Sequence, residues 1–179
     1  MTNLEAGERI AVARLRALLE LLPTALDRQL TATGLTSFEF TLLEALHEAE
    51  QRRLRLSALA LRTNATLPRL SRVVTGLERK GLVARTPCEQ DGRAINAVLT
   101  EAGEHAYATG RPLYEQAVRH MILNGLDGEG IDRLAELSCS ILDNLDPERR
   151  LSATVDESEL VCIADPESVL TPSGSNPAA

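Results

Sequence analysis

The chain has 179 residues, 44% hydrophobic and 25% charged, the make-up of one globular domain with appendages. No apolar run reaches the ~20 residues of a membrane span, and the start Met1-Thr2-Asn3-Leu4-Glu5 is not a leader, so a cytoplasmic protein without a membrane partner is the expectation. The net charge of −7 argues against a nucleic-acid partner as a total but not in its distribution: Arg52 to Arg93 holds ten Arg and Lys against three acids, a local +7, and the remainder carries −14.

From Glu8 to Leu30 the leucines Leu15, Leu18, Leu19, Leu22 and Leu26 recur on one helical face, with a kink or break predicted at Pro23. Thr36 and Glu39 read as a capping box, with Leu35 and Phe40 as its hydrophobic staple. They open a second helix from Ser37 to Glu50, whose positions Phe38, Leu42, Ala45, Leu46 and Ala49 face inward. Ser57 is the predicted cap of a short third helix, from Ala58 to Thr63. Thr66 is the predicted cap of a fourth, from Leu67 to Lys80, with Pro68 harmless in its first turn and Gly81 as its stop. Two strands follow, Leu82 to Thr86 and Ile95 to Leu99, with Asp91-Gly92 as a hairpin turn signal. Thr100 opens a fifth helix to Asn124, with a kink predicted at Gly110 and Pro112. Asp127 caps a sixth, with Ile131, Leu134, Ser138, Ile141, Leu142 and Leu145 along one stripe. From Leu151 to Ala179 the chain holds five acids and no bases and reads as a mostly disordered tail. The fold class is mainly α with a small two-stranded β wing. The predicted units are 1–34, 35–100, 101–146 and the acidic tail 147–179.

The fourth helix is two-faced. Leu70, Val73, Val74 and Leu77 form its apolar stripe, and Arg69, Ser71, Arg72, Thr75 and Arg79 point away. Arg, Ser and Thr are residue types that read base edges in a major groove, and an arginine at a hairpin tip suits a minor groove. The alternative is a winged-helix module that binds protein without specific DNA binding. Nothing points to an enzyme. Cys88, Cys139, Cys162, His47, His105 and His120 supply no metal-ligand spacing, and no glycine-rich loop follows a strand, so neither catalytic residues nor a metal or cofactor are expected.

The ordered set Leu56-Ser57-Ala58-Leu59-Ala60, Leu70-Ser71-Arg72-Val73-Val74, Leu77-Glu78-Arg79-Lys80-Gly81-Leu82-Val83 with Arg85, Asp91 with Arg93, and Val98-Leu99-Thr100 with Gly103 resembles the MarR family of bacterial regulators. Gly34-Leu35-Thr36 and Leu126-Asp127 fit it as well, and the resemblance runs from Glu8 to Leu145. It implies a winged helix-turn-helix flanked by dimerisation helices, in a homodimer that represses transcription from a pseudo-palindromic operator in double-stranded DNA. Thr66, Pro68, Arg69, Ser71 and Arg72 would meet the DNA, with Arg93 as wing arginine and Asp91 orienting it. Leu15, Leu18, Leu22, Leu134, Ile141 and Leu145 would lie in the dimer interface. The resemblance also implies a cleft for a small anionic or aromatic effector. By position Arg14 and Arg16 would pair with its carboxylate, and Leu43, His47 and Tyr107 would line the cavity.

Overall fold

A 25-residue helix, α1 (Ala6–Leu30), begins where the Glu5 amide donates to Glu8 Oε2 at 2.7 Å. It belongs to a computed structural model that describes residues 3–88 and 94–146. The helix runs on across Pro23 instead of breaking there. Pro23 forfeits its bond to the Leu19 carbonyl, but both residues are on the exposed side of α1, where that loss is tolerated. Only Leu26 and Leu30 of α1 are buried.

The junction to α2 (Ser37–Glu48) is densely capped. Glu39 N–H donates to Thr36 Oγ1 at 3.2 Å and Thr36 N–H to Glu39 Oε2 at 2.9 Å, the predicted capping box. Asp27 Oδ1 accepts from both the amide and the hydroxyl of Ser37 at 2.6 Å, which fixes α1 to the start of α2. The helix stops at Glu48, short of Glu50. A 3₁₀ turn, Glu50–Arg52, then reverses the chain with Gln51 and Arg52 both left-handed, at φ 53° and 55°. Two such residues in succession cost about 1–2 kcal/mol each.

That turn delivers a strand absent from the sequence reading, β1 (Arg53–Arg55). Arg53-Leu54-Arg55 does alternate polar and apolar, but three residues are too short a run to read as a strand. It joins β2 (Val83–Pro87) and β3 (Ile95–Leu99) in an antiparallel sheet of order β1-β3-β2, with Leu54 and Arg85 flanking Ala97 from either side. The wing sheet is therefore three-stranded.

Between β1 and β2 lie α3 (Leu56–Arg62) and α4 (Leu67–Arg79). Arg55, not Ser57, occupies the cap position of α3, because the chain turns helical straight out of β1. Thr66 does cap α4 by position, yet makes no side-chain cap bond. Pro68 removes one of the two amides its hydroxyl would accept from. Gly81, at φ 73°, ends the helix, and Lys80 reaches back to α2: its Nζ donates to Glu39 at 2.7 and 2.8 Å and to the Gly34 carbonyl at 2.9 Å.

The last two helices are α5 (Glu101–Val118) and α6 (Gly128–Leu145). Thr100 caps α5, accepting from Gly103 N–H at 3.0 Å while its hydroxyl donates to the Gly81 carbonyl at 2.7 Å. α5 is continuous through Gly110 and Pro112. The departure from α geometry falls later, in a π turn at Arg119–Leu123. Gly110 is there for packing: a Cβ on it would stand 3.2 Å from the Phe40 ring. Phe40 is fully buried and Phe38, expected inside, is half-buried. Phe40 stacks between Tyr107 and Tyr114, at 5.4 and 4.5 Å between centroids, and His47 extends the column at 4.4 Å from Tyr107. The chain has two phenylalanines, two tyrosines and no tryptophan, so most of its aromatic surface is spent on this α2–α5 contact. Leu30, Leu42, Leu43, Leu46, Leu59, Leu70, Val74, Leu77 and Val83 complete the core.

Asp127 caps α6 as expected, accepting from Gly130 N–H at 2.9 Å. No residue of α6 is buried, and Ile131, Leu134, Leu137, Ile141 and Leu145 are all exposed. The face of α1 that carries Leu15, Leu18, Leu19 and Leu21 is exposed likewise. Among the described residues no helix is long and apolar enough to cross a membrane.

Candidate nucleic-acid interface

Burial of Leu70, Val74 and Leu77 fixes which way α4 faces. Their turn positions leave Pro68, Arg72, Thr75 and Arg79 on the opposite side of the helix. Of the predicted contacts Thr66, Pro68, Arg69 and Arg72 are exposed. Arg72 Nε donates to the Pro68 carbonyl at 3.3 Å, which lays the arginine along the N-terminal turn. The Arg69 guanidinium sits 4.3 Å above the centre of the Phe38 ring. Ser71 is half-buried, and its hydroxyl accepts from Arg85 at 3.3 Å. Asp91 and Arg93 lie outside the described residues, as does the tail from 147 onward.

Two residues of this surface escaped the sequence reading. Phe38 supports Arg69 from α2. Arg85 reaches from β2 across to α4, where its Nη2 donates to the Ser71 carbonyl at 2.8 Å and to Thr75 Oγ1 at 2.9 Å. A signal for Arg85 was present, since strand alternation places it on the same face as the buried Val83.

The residues expected to line an effector cleft divide into two groups. Leu43 and Tyr107 are buried in the core, with His47 against the Tyr107 ring. His47 Nδ1 lies 2.7 Å from Glu104 Oε1, and Arg52 Nε is 3.7 Å from the other oxygen of that carboxylate. Arg14 and Arg16 are exposed on α1, outside this core. Close by, burial pushes the Glu44 carboxyl above the usual range, with Glu48 adding repulsion and Arg111 opposing it. Burial also raises the Tyr107 and Tyr114 hydroxyls. Cys88 is buried at the end of the wing, and no group of His, Cys, Asp and Glu among the described residues is arranged to hold a metal.

A recognition-type helix, a three-stranded wing packed beside it and helices flanking both define a winged helix-turn-helix regulator. The sequence profile of the MarR family matches residues 33–94. AbsC of Streptomyces coelicolor, a MarR family transcriptional regulator, superposes with a TM-score of 0.77 at 31% identity, over 82% of this chain and 99% of AbsC. Sco3205 of the same organism, a MarR family transcriptional regulator solved in complex with DNA, gives 0.78 at 32% identity, over 82% of this chain and 92% of Sco3205. The transcriptional repressor YetL of Bacillus subtilis (strain 168) is 28% identical over 102 residues, 57% of this chain and 61% of YetL. The chain thus spans about three fifths of that curated relative. It belongs to the MarR family of transcriptional regulators.

Proposed function

We propose that the protein is a homodimeric repressor that binds a pseudo-palindromic operator in double-stranded DNA and carries out no catalysis, working in the cytoplasm. The observation that carries this reading is the outward face of α4: Pro68, Arg69, Arg72 and Arg79 are exposed together on a helix whose opposite face is seated in the core. The N-terminal residues of such a helix meet base edges in the major groove. Sco3205, a relative with the same fold, was solved on DNA. Thr66, Pro68, Arg69, Ser71 and Arg72 form the proposed helix contacts, Arg93 the wing contact and Asp91 its support. Leu15, Leu18, Leu22, Leu134, Ile141 and Leu145 form the proposed dimer interface, and the units 1–34, 35–100 and 101–146 the proposed division of labour. An anionic aromatic effector remains the proposed release signal. Its pocket would combine Arg14 and Arg16 of α1 with Leu43, His47 and Tyr107, which requires the His47–Tyr107 packing to open.

The test is binding to the chain's own promoter region across a salt series. Phosphate neutralisation by the basic segment gives a steep negative dependence on salt, with half-sites about one helical turn, ~34–36 Å, apart. Arg72→Ala is expected to lose ~1–3 kcal/mol of base discrimination. Binding that ignores salt and sequence alike would leave a protein-interaction module as the reading.

A further inference from the structure

Besides the packing of Val83 against the apolar stripe of α4, the wing is tied to the helix by the guanidinium of Arg85. Arg85 Nη2 donates to the Ser71 carbonyl at 2.8 Å, to Thr75 Oγ1 at 2.9 Å and to Ser71 Oγ at 3.3 Å. Thr75 Oγ1 in turn donates to the same Ser71 carbonyl at 2.9 Å. Nε of Arg85 lies 3.9 Å from Glu78 Oε2, one turn further along α4. One side chain of β2 therefore touches three successive turns on one flank of α4. The side chain is only 28% exposed, so these bonds are largely sheltered from water. On the other flank Arg69 rests on Phe38. The face between the flanks carries Pro68 and Arg72.

A helix seated by an apolar stripe alone can roll about its axis, because dispersion contacts have little directionality. Charged hydrogen bonds to a main-chain carbonyl and to a fixed hydroxyl have strong directionality. Rolling α4 would break all of the Arg85 bonds together. Thr75 is also accounted for: its hydroxyl is taken up by Arg85 and the Ser71 carbonyl, whereas the Ser71 hydroxyl only accepts from Arg85 and keeps a proton to donate to DNA.

We propose that Arg85 is a positioning residue for DNA recognition, which locks the rotation of α4 to the wing so that helix and wing meet the major and minor grooves as one body. This rests on the DNA-binding reading above. In a protein whose binding-competent setting is only partly populated, the apparent dissociation constant rises by the reciprocal of that fraction. Lysine keeps the charge of Arg85 but lacks the planar fork that reaches several acceptors.

The experiment compares wild type with Arg85→Lys, Thr75→Val and Thr75→Ser. Affinity for the operator duplex and for a scrambled duplex is measured by fluorescence anisotropy at several salt concentrations. Amide hydrogen exchange across α4 is measured in the DNA-free protein. Arg85→Lys is expected to lose operator affinity about tenfold, as when the competent fraction falls to about one tenth. Its scrambled-duplex affinity and salt slope stay as in wild type, and exchange in α4 rises. Thr75→Val moves the same way by less, and Thr75→Ser, which retains the acceptor, restores wild-type behaviour. Wild-type operator affinity in Arg85→Lys overturns the proposal. So does an equal loss on both duplexes with a salt slope smaller by about one charge, which would make Arg85 a phosphate contact. A fall in thermal stability with the operator preference and α4 exchange unchanged would reduce Arg85 to a fold-stabilising residue. If wild type itself shows no operator preference, the DNA-binding reading fails, and exchange in α4 still decides whether Arg85 holds the helix.

Discussion

Arg69 shows how one aromatic ring can prepare a contact residue. An arginine at a helix start explores many rotamers, and freezing it on DNA costs side-chain entropy on the order of 1–2 kcal/mol. Phe38, 4.3 Å beneath the guanidinium, removes part of that freedom in advance. A partly exposed cation–π contact contributes about 0.5–1 kcal/mol. Phe38→Leu keeps the apolar packing and is expected to weaken operator binding by about two- to fivefold in an anisotropy titration. In an Arg69→Ala background the same change should do nothing further, because the group that the ring holds is gone. Gly103 sets a different residue-scale limit. A Cβ there would run into the Leu82 carbonyl and stand 2.7 Å from Leu99 Cδ1, so α5 can sit on the end of the wing only with glycine. Gly103→Ala gains about 1 kcal/mol of helix propensity but meets backbone, and overpacking costs about 1–3 kcal/mol or more. The expected result is a lower Tm in thermal denaturation; a raised Tm would show that the α5 junction yields easily.

At the scale of elements, the α2–α5 contact carries a pH dependence through Glu44. Its carboxyl is raised first by burial and then by Glu48, with Glu115 adding and Arg111 and His47 opposing. Folded protein therefore holds the Glu44 proton to higher pH than unfolded protein does. By linkage this makes folding less favourable as pH rises from the ordinary glutamate range, about 4.3, through the raised folded value. Glu44→Gln is expected to raise Tm near neutral pH, with the gain over wild type shrinking as pH falls toward about 4. A gain that is the same at every pH would trace the effect to packing. The elements themselves were legible to different degrees for physical reasons. The capping box at Thr36, the stripe of α4 and the Asp127 cap are local signals and stand where the sequence puts them. β1 was hidden because three residues gain their strand character only from pairing with β3, over forty positions later. Pro23, Gly110 and Pro112 read as breaks because local rules ignore context, whereas exposure at Pro23 and the Phe40 ring at Gly110 accommodate them. On the surface of α4, the exposed arginines were readable from period, but the Phe38 and Arg85 contacts depend on how separate elements meet.

For the whole molecule, the two end helices pose the main question. α6 buries none of its residues and α1 buries two, yet both carry long apolar faces, with Leu18 60% and Leu145 73% exposed. Single exposed leucines are ordinary, but two contiguous faces of them mark an interface. Among the described residues between 35 and 100 only Leu67 and Ile95 are exposed large hydrophobics, so the surplus among the described residues lies mainly on α1 and α6. Pairing with a second copy would bury these faces and set two α4 helices at a fixed spacing. Ile141→Asp tests this, since Ile141 is 45% exposed in the single chain and no part of its core depends on it. The expected outcome in sedimentation velocity is a monomer whose helix content by circular dichroism is near that of wild type. Losing the second half-site removes the gain from bivalent binding, typically 10²–10⁴-fold. Operator affinity should therefore collapse by about that factor, while the much weaker affinity for an isolated half-site stays near the wild-type level. A variant that remains a dimer places the interface elsewhere, and a monomer that still binds the full operator at wild-type strength would mean that a single α4 and wing suffice for recognition.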